Sequence, residues 1–272
     1  MTNKNRKLVA VDLDNTFLRD DQTISDESVK FVRKFVHDGN IFVIATGRPF
    51  QGAEAFYKRI GVNTPMIATN GGAIFYYEND LQTIKEFEDF SMDKDIFLTL
   101  FREVKDFLYT YQVRTPFSYH FKDYSKIPFF ILHEDPRVSM HENDIEESLK
   151  ENPIDADFCV LVDKKDEFEA ALKNYPQFKH IYRGTIDGVV FYEVSSINAS
   201  KGLALEYLRK KYNILKDNVY AFGDQLNDVS LFEYANGVAM INAQDEVKMV
   251  AKFVTEKTNN EDGVIEFLKN IH

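Results

Sequence analysis

The chain has 272 residues, 44% hydrophobic and 28% charged, which is the composition of an ordinary globular protein with room for one large domain or two smaller ones. Its formal net charge of -11 argues against non-specific binding to nucleic acid or to anionic membranes, both of which need a basic surface, but leaves room for a locally positive pocket that takes a phosphorylated small molecule. The single cysteine, Cys159, excludes an internal disulfide, and no stretch reads as a secretion leader or a membrane span, so the expectation is a soluble cytoplasmic protein.

In chain order, KLVAVD at the N-terminus reads as a strand buried on both faces. Ser25 is the expected N-cap of a helix in which Val29, Val32, Phe35 and Val36 recur at helical spacing until Gly39. IFVIATGR is a second buried strand, a helix runs from about Phe50 to Ile60 and closes at Gly61, and PMIAT is a third strand. From about 84 to 192 the texture changes: aromatics and charges become denser, with helices at MDKDIFLTLFREVK and KDEFEAALKNY and strands at DFCVLV and GVVFYEV. The first pattern then returns as SKGLALEYLRKKY (helix), NVYAFGD (strand), NDVSLFEYANG (helix closed by Gly237), VAMI (strand), DEVKMVAK (helix) and GVIEFLKN (last helix). Alternation of strand and helix implies a parallel sheet with right-handed crossovers. The expected architecture is therefore an α/β core formed by 1–84 and 193–272, interrupted by an inserted α+β domain at 85–192.

Ligands of open parallel sheets bind at the carboxyl ends of the strands, and polar clusters gather there in this sequence. Asp12, Asp14 and Thr16 follow the first strand, Thr46, Gly47 and Arg48 the second, Asn70, Gly71 and Gly72 the third, and Gly223, Asp224, Asn227 and Asp228 follow VYAF. Lys201 adds a cation at a helix start. Asp12, Asp14, Asp224 and Asp228 would crowd like charges into one crevice, which calls for a hard divalent cation with oxygen ligands, most naturally Mg²⁺. With a metal and Lys201 present, the crevice suits a phosphate, held by the Thr46 hydroxyl and the turn amides near Gly47. Two carboxylates in different environments can divide the chemistry. Asp12, at the strand end, suits attack on phosphorus, and Asp14 suits proton transfer to the leaving group and from water.

These residues resemble the haloacid dehalogenase-like superfamily of aspartyl-phosphate phosphatases, and more closely its Cof-type branch, in which a type IIB cap is inserted after the third strand. DLDNTFL looks like motif one, ATGR like motif two, SKG like the motif-three lysine and GDQLND like motif four; NGG at 70–72, NA at 242–243 and EDGV at 261–264 also fit the branch. The resemblance implies a Rossmann-like core with an α+β cap, and Mg²⁺-dependent hydrolysis of a small phosphorylated metabolite. Asp12 would be the nucleophile and a metal ligand. Asp14 would be the general acid/base and a metal ligand through its backbone carbonyl, and Asp224 would complete the metal site. Thr46 and Gly47 would hold the phosphate, Lys201 would neutralise it and orient Asp12, and Asn227, Asp228 and Asn70 would give support. Arg48 would either reach substrate or brace its loop.

The chain departs from the family at Asn15 and at Ile241, where glycine is usual; asparagine tolerates left-handed backbone angles, so the first loop is expected to survive, while Ile241 is expected to alter the loop above the phosphate. In the insert, His120, His133, His141, His180, Tyr119, Phe121, Phe129 and Phe130 are candidates for substrate contact. The alternatives are a sugar phosphomutase using the same Asp12 and a non-catalytic phosphate-binding regulatory relative; a dinucleotide oxidoreductase is set aside because no G-x-G-x-x-G occurs. A monomer or weak homo-oligomer is expected.

Overall fold

Short apolar runs flanked by caps and glycines become buried strands in the computed structural model, which describes residues 6–77, 84–126 and 135–271. Phe129, Phe130 and His133 lie outside the described residues. The elements in order are β1 (Leu8–Val11), α1 (Asp26–His37), β2 (Ile41–Ala45), α2 (Phe50–Ile60), β3 (Met66–Ala68), β4 (Ala73–Tyr77) and β5 (Ile84–Asp89). There follow α3 (Lys94–Val104), β6 (Leu108–Arg114), β7 (Ser118–Phe121), β8 (Ser139–Glu142), α4 (Ile145–Ser148), β9 (Asp155–Leu161), α5 (Lys165–Leu172), β10 (Phe178–Ile186) and β11 (Val189–Ser196). The last group is α6 (Lys201–Lys211), β12 (Val219–Gly223), α7 (Val229–Phe232), β13 (Asn236–Ala239), α8 (Asp245–Val250), β14 (Phe253–Val254) and α9 (Gly263–Leu268). The chain divides into two compact units, Met1–Glu88 with Ser200–His272, and Asp89–Ala199. The boundary at 192/193 read from the sequence falls inside β11, whose pairing with β9 and β10 carries that strand on to Ser196. Among the described residues no helix is long and apolar enough to cross a membrane.

The first unit is an 8-stranded sheet in the order β14-β13-β12-β1-β2-β3-β4-β5, parallel from β14 to β3 and antiparallel between β3 and β4. All residues of β1 and β2 are buried, as continuous apolar runs require when a strand is covered on both faces. Each such Val, Leu or Ile contributes about 1.5–3 kcal/mol by leaving water. Local signals set the ends of the helices. Ser25 caps α1 by accepting the Ser28 N–H at 2.9 Å, and Gly61 closes α2 in the left-handed region at φ 68°. The helix expected over 227–237 is shorter, because Asn227 and Asp228 stay in the tight turn that precedes α7 and Asn236 already belongs to β13. Short polar side chains compete for backbone groups and favour such turns over helix interiors.

The second unit is a 6-stranded sheet in the order β10-β11-β9-β6-β7-β8, antiparallel except between β7 and β8. Helices α3 and α5 cover it with an aromatic core. Phe97, Phe101, Phe158, Phe168 and Tyr192 are buried there, with Phe158 and Phe168 meeting edge to face at 5.8 Å.

Candidate active site

The carboxyl ends of β1, β2, β3 and β12 supply the polar groups. Asp12 leaves β1 while its N–H still donates to the Phe222 carbonyl of β12 at 3.1 Å. The chain then turns through Asn15 at φ 54°, ψ 9°, which brings Thr16 back so that its Oγ1 donates to Asp224 Oδ1 at 3.0 Å. Asparagine accepts this left-handed angle where other side chains would be strained, so the turn survives without glycine, as expected.

Lys201, the first residue of α6, is buried, and its Nζ donates to Asp12 Oδ1 and to Asp228 Oδ1, both at 2.7 Å. Gly71, at φ 90°, permits this placement. A Cβ there would collide with the Ser200 carbonyl carbon and the Lys201 nitrogen, so only glycine lets the loop after β3 press against the start of α6. Asp228 turns its other oxygen back onto the N–H groups of Asp224 (3.0 Å) and Gln225 (3.2 Å), and a Cβ at Gly223 would strike that side chain.

Carboxylate oxygens of Asp12, Asp224 and Asp228 lie within 4.8 Å of one another, all three residues buried. Burial, and repulsion from Asp228 and Asp224 that Lys201 only partly offsets, push the Asp12 carboxyl up to about 7. Burial, then Asp228, pushes Asp224 up to about 6. Burial works against the Lys201 ammonium, but Asp12 and Asp228 outweigh it and hold the lysine above its ordinary range. One ammonium against three carboxylates is an unbalanced cluster, and its all-oxygen donor set fits a hard divalent cation.

Asp14 is not part of that side-chain cluster. Its carboxylate lies in the fork of Arg48, with Nε at 2.9 Å from Oδ2 and Nη2 at 2.5 Å from Oδ1. Arg48 also donates to Gln22 Oε1 and to the Gly52 carbonyl and packs over the Phe56 ring, so in this structure it braces its own loop. Nothing in the sequence marks Gln22, a glutamine in a surface turn, as a partner of Arg48. Thr46 is buried; its Oγ1 accepts the Arg48 N–H at 3.1 Å, which leaves its hydroxyl hydrogen to donate. Asn227 Nδ2 donates to Asn70 Oδ1 at 3.1 Å, and that same oxygen sits 3.0 Å from where a Cβ on Gly47 would lie. Thr46, Gly47, Asn70 and Asn227 are therefore gathered at one place. The Ile241 side chain is 43% exposed, and its N–H donates to Thr255 Oγ1 at 2.9 Å, so the turn tolerates the missing glycine and its backbone stays fixed.

The candidates of the second unit have other company. Tyr119 and Phe121 are buried against Val138. His120 is buried between Ser118 Oγ (2.9 Å) and Ser148 Oγ (2.6 Å), with His141 stacked on it at 4.8 Å. His180 lies on the edge strand β10 and meets the Tyr192 ring edge-on at 6.0 Å.

Comparison with known proteins gives a consistent likeness. The sequence model of haloacid dehalogenase-like hydrolases matches residues 9–268. YitU of Bacillus subtilis, named as a 5-amino-6-(5-phospho-D-ribitylamino)uracil phosphatase, is 29% identical over 277 residues, covering 96% of each chain. The phosphatase YwpJ of the same organism is 28% identical over 97% of this chain and 99% of its own. Among solved structures, TM0651 from Thermotoga maritima has a TM-score of 0.82 at 25% identity, covering 98% of both chains.

Proposed function

The chain belongs to the haloacid dehalogenase-like hydrolase family, and on that premise we propose that it is a Mg²⁺-dependent phosphatase of small phosphorylated metabolites, working through an aspartyl-phosphate on Asp12. The observation that carries this reading is the buried cluster in which the Lys201 ammonium faces the carboxylates of Asp12, Asp228 and Asp224. A divalent cation held there would offset the excess negative charge that otherwise repels a phosphate dianion. Asp12, Asp224 and Asp228 would hold it with side-chain oxygens and Asp14 with its backbone carbonyl; when bound, it screens the phosphate's charge and helps align it.

Lys201 occupies Asp12 Oδ1, so attack falls to Oδ2. That oxygen bonds to phosphorus as the ester P–O bond breaks, and Asp14 gives a proton to the leaving oxygen. Asp14 then takes a proton from a water whose oxygen bonds to phosphorus, the acyl-phosphate P–O bond breaks, and Asp12 is restored as free phosphate departs. To do this, the Asp14 carboxylate leaves Arg48 by side-chain rotation and takes up a proton from solvent before the first turnover; thereafter the proton taken from the attacking water restores the acid. The Thr46 hydroxyl, the Gly47 N–H and Asn227 hold the phosphoryl oxygens, with Asn70 orienting Asn227. A cytoplasmic setting suits the lone, buried Cys159.

The test is phosphate release from a panel of sugar phosphates, phosphorylated cofactors and the compound in YitU's name, with and without Mg²⁺, for the native protein and Asp12→Asn. Release that needs both the metal and Asp12 is the expected result. Transfer to a sugar without free phosphate would replace the phosphatase by a mutase, and no turnover with any compound would leave a phosphate-binding relative.

A further inference from the structure

The turn between β13 and α8 is fastened to the backbone of Gly223 and Asp224. Met240 N–H donates to the Gly223 carbonyl at 3.1 Å and Gln244 N–H to the Asp224 carbonyl at 3.0 Å, so the turn moves with Asp224. From its tip, Asn242 Nδ2 donates to the carbonyl of Asn15 at 2.8 Å. Asn15 is the left-handed residue between Asp14 and Thr16. The Asn242 oxygen is held in turn by the Asn259 N–H at 3.3 Å, and the buried Asn259 extends its own side chain to the Leu18 carbonyl (2.9 Å) and Asp20 Oδ1 (3.0 Å).

We propose that Asn242, oriented by Asn259, is a positioning residue that sets the spacing between the Asp12–Thr16 loop and Asp224. The physical need is clear from the charges. Asp12, Asp224 and Asp228 repel one another, and the Asp12 loop turns at a residue without glycine's freedom. A hydrogen bond from the Asp224 side to the Asn15–Thr16 peptide opposes that repulsion at the point where the loop would open. It also fixes the peptide next to the Asp14 backbone carbonyl. This inference rests on the phosphatase reading for its kinetic consequence, but its structural consequence, a tighter response to Mg²⁺, stands apart from activity.

Asn242→Asp is the informative variant, since its carboxylate can still accept from Asn259 but cannot donate to Asn15. Asn242→Ala removes both bonds without adding charge. Asn236→Asp is the control: Asn236 Nδ2 donates to the Asp217 and Val219 carbonyls, both at 2.9 Å, by the same chemistry elsewhere in the first unit. Melting temperature is titrated with Mg²⁺ alone, and kcat and KM are measured on p-nitrophenyl phosphate at saturating Mg²⁺. Both Asn242 variants are expected to need about fivefold more Mg²⁺ for the half-maximal shift, and to lose about fivefold in kcat with KM within about twofold of native. Asn236→Asp is expected to lower the melting temperature and leave the Mg²⁺ midpoint alone. The proposal is overturned if either Asn242 variant keeps the native Mg²⁺ midpoint, if Asn236→Asp weakens it equally, or if the native protein's melting ignores Mg²⁺. A native protein that responds to Mg²⁺ but releases no phosphate sinks the phosphatase reading, and the titration still decides the role of Asn242.

Discussion

Each unit buries a cation between two carboxylates, yet the two arrangements differ in kind. In the first, Lys201 touches Asp12 and Asp228 through one ammonium, at loops that end strands, with Asp224 close enough to share a metal. In the second, Arg114 in β6 grips Asp155 of β9 with two parallel bonds of 2.7 and 2.8 Å, and its Nη2 stands 2.9 Å from Asp157 on the same strand. A guanidinium fork fixes planar geometry and has no spare direction to offer a ligand; an ammonium is a point charge whose partners can be rearranged around an incoming phosphate. Charge arithmetic alone does not separate a site from a brace. The rigidity of the pairing and its place on the sheet do.

The contrast can be broken most severely at Asp12. Asp12→Asn is expected to lower phosphate release by at least about 10³-fold while the protein stays folded, measured by product formation beside a melting curve. The second unit should answer in the opposite way. Arg114→Ala leaves the buried Asp155 and the half-buried Asp157 without their cation, and should cost about 3–5 kcal/mol of stability in urea unfolding while the Mg²⁺-dependent melting shift of the first unit persists. An Arg114 variant that lost the Mg²⁺ response and kept its stability would invert the comparison.

Asp224→Asn gives a smaller and subtler test. The Asp224 carboxyl is pushed up to about 6 by burial and by Asp228, above its unfolded value, so its ionisation works against folding from the unfolded value of about 3.8 upward. Without metal at pH 8, the neutral amide should therefore melt a few degrees above the native protein. The same variant should lose the rise in melting temperature that Mg²⁺ gives the native chain by mass action. A variant that melts lower without metal would show that the cluster is not under electrostatic tension.

Much of this was legible before the fold. The strands β1 and β12 announce themselves as apolar runs, and polar residues that follow them are the ones that meet: Asp12, Asp224 and Asp228, with Lys201. Strand-end chemistry is readable because a parallel sheet brings its carboxyl ends together whatever the loops do. The pairing of Arg48 with Asp14 and Gln22 was not readable, since it depends on which rotamers the loop permits. Nor was the link from Asn242 to Asn15, a side chain to carbonyl bond between positions far apart in sequence. In the second unit the aromatics Tyr119 and Phe121 invited a ligand reading, but β-strand alternation and burial against Val138 account for their positions.

His120 offers the mildest test, and it isolates the second unit. Burial first, then the stacked His141, lowers the His120 imidazole from its ordinary 6.5 to about 4. Between those values the unfolded chain takes up a proton that the folded chain refuses. Stability from this group is therefore complete above about pH 6.5 and is lost as pH falls toward 4, by about 2 kcal/mol after allowing for solvent screening. Urea midpoints at pH 7 and pH 4.5 should draw closer together in His120→Gln, whose amide can still bond to Ser118 or Ser148 and cannot titrate. The same acid-side loss in the variant would remove His120 as its origin, and the carboxylates beside Arg114 could not supply it. Their sign is opposite: Asp157, raised to about 6, takes up its proton more readily folded than unfolded, and so favours folding as the pH falls. The slope of stability against pH thus distinguishes a buried histidine from a buried acid within one unit.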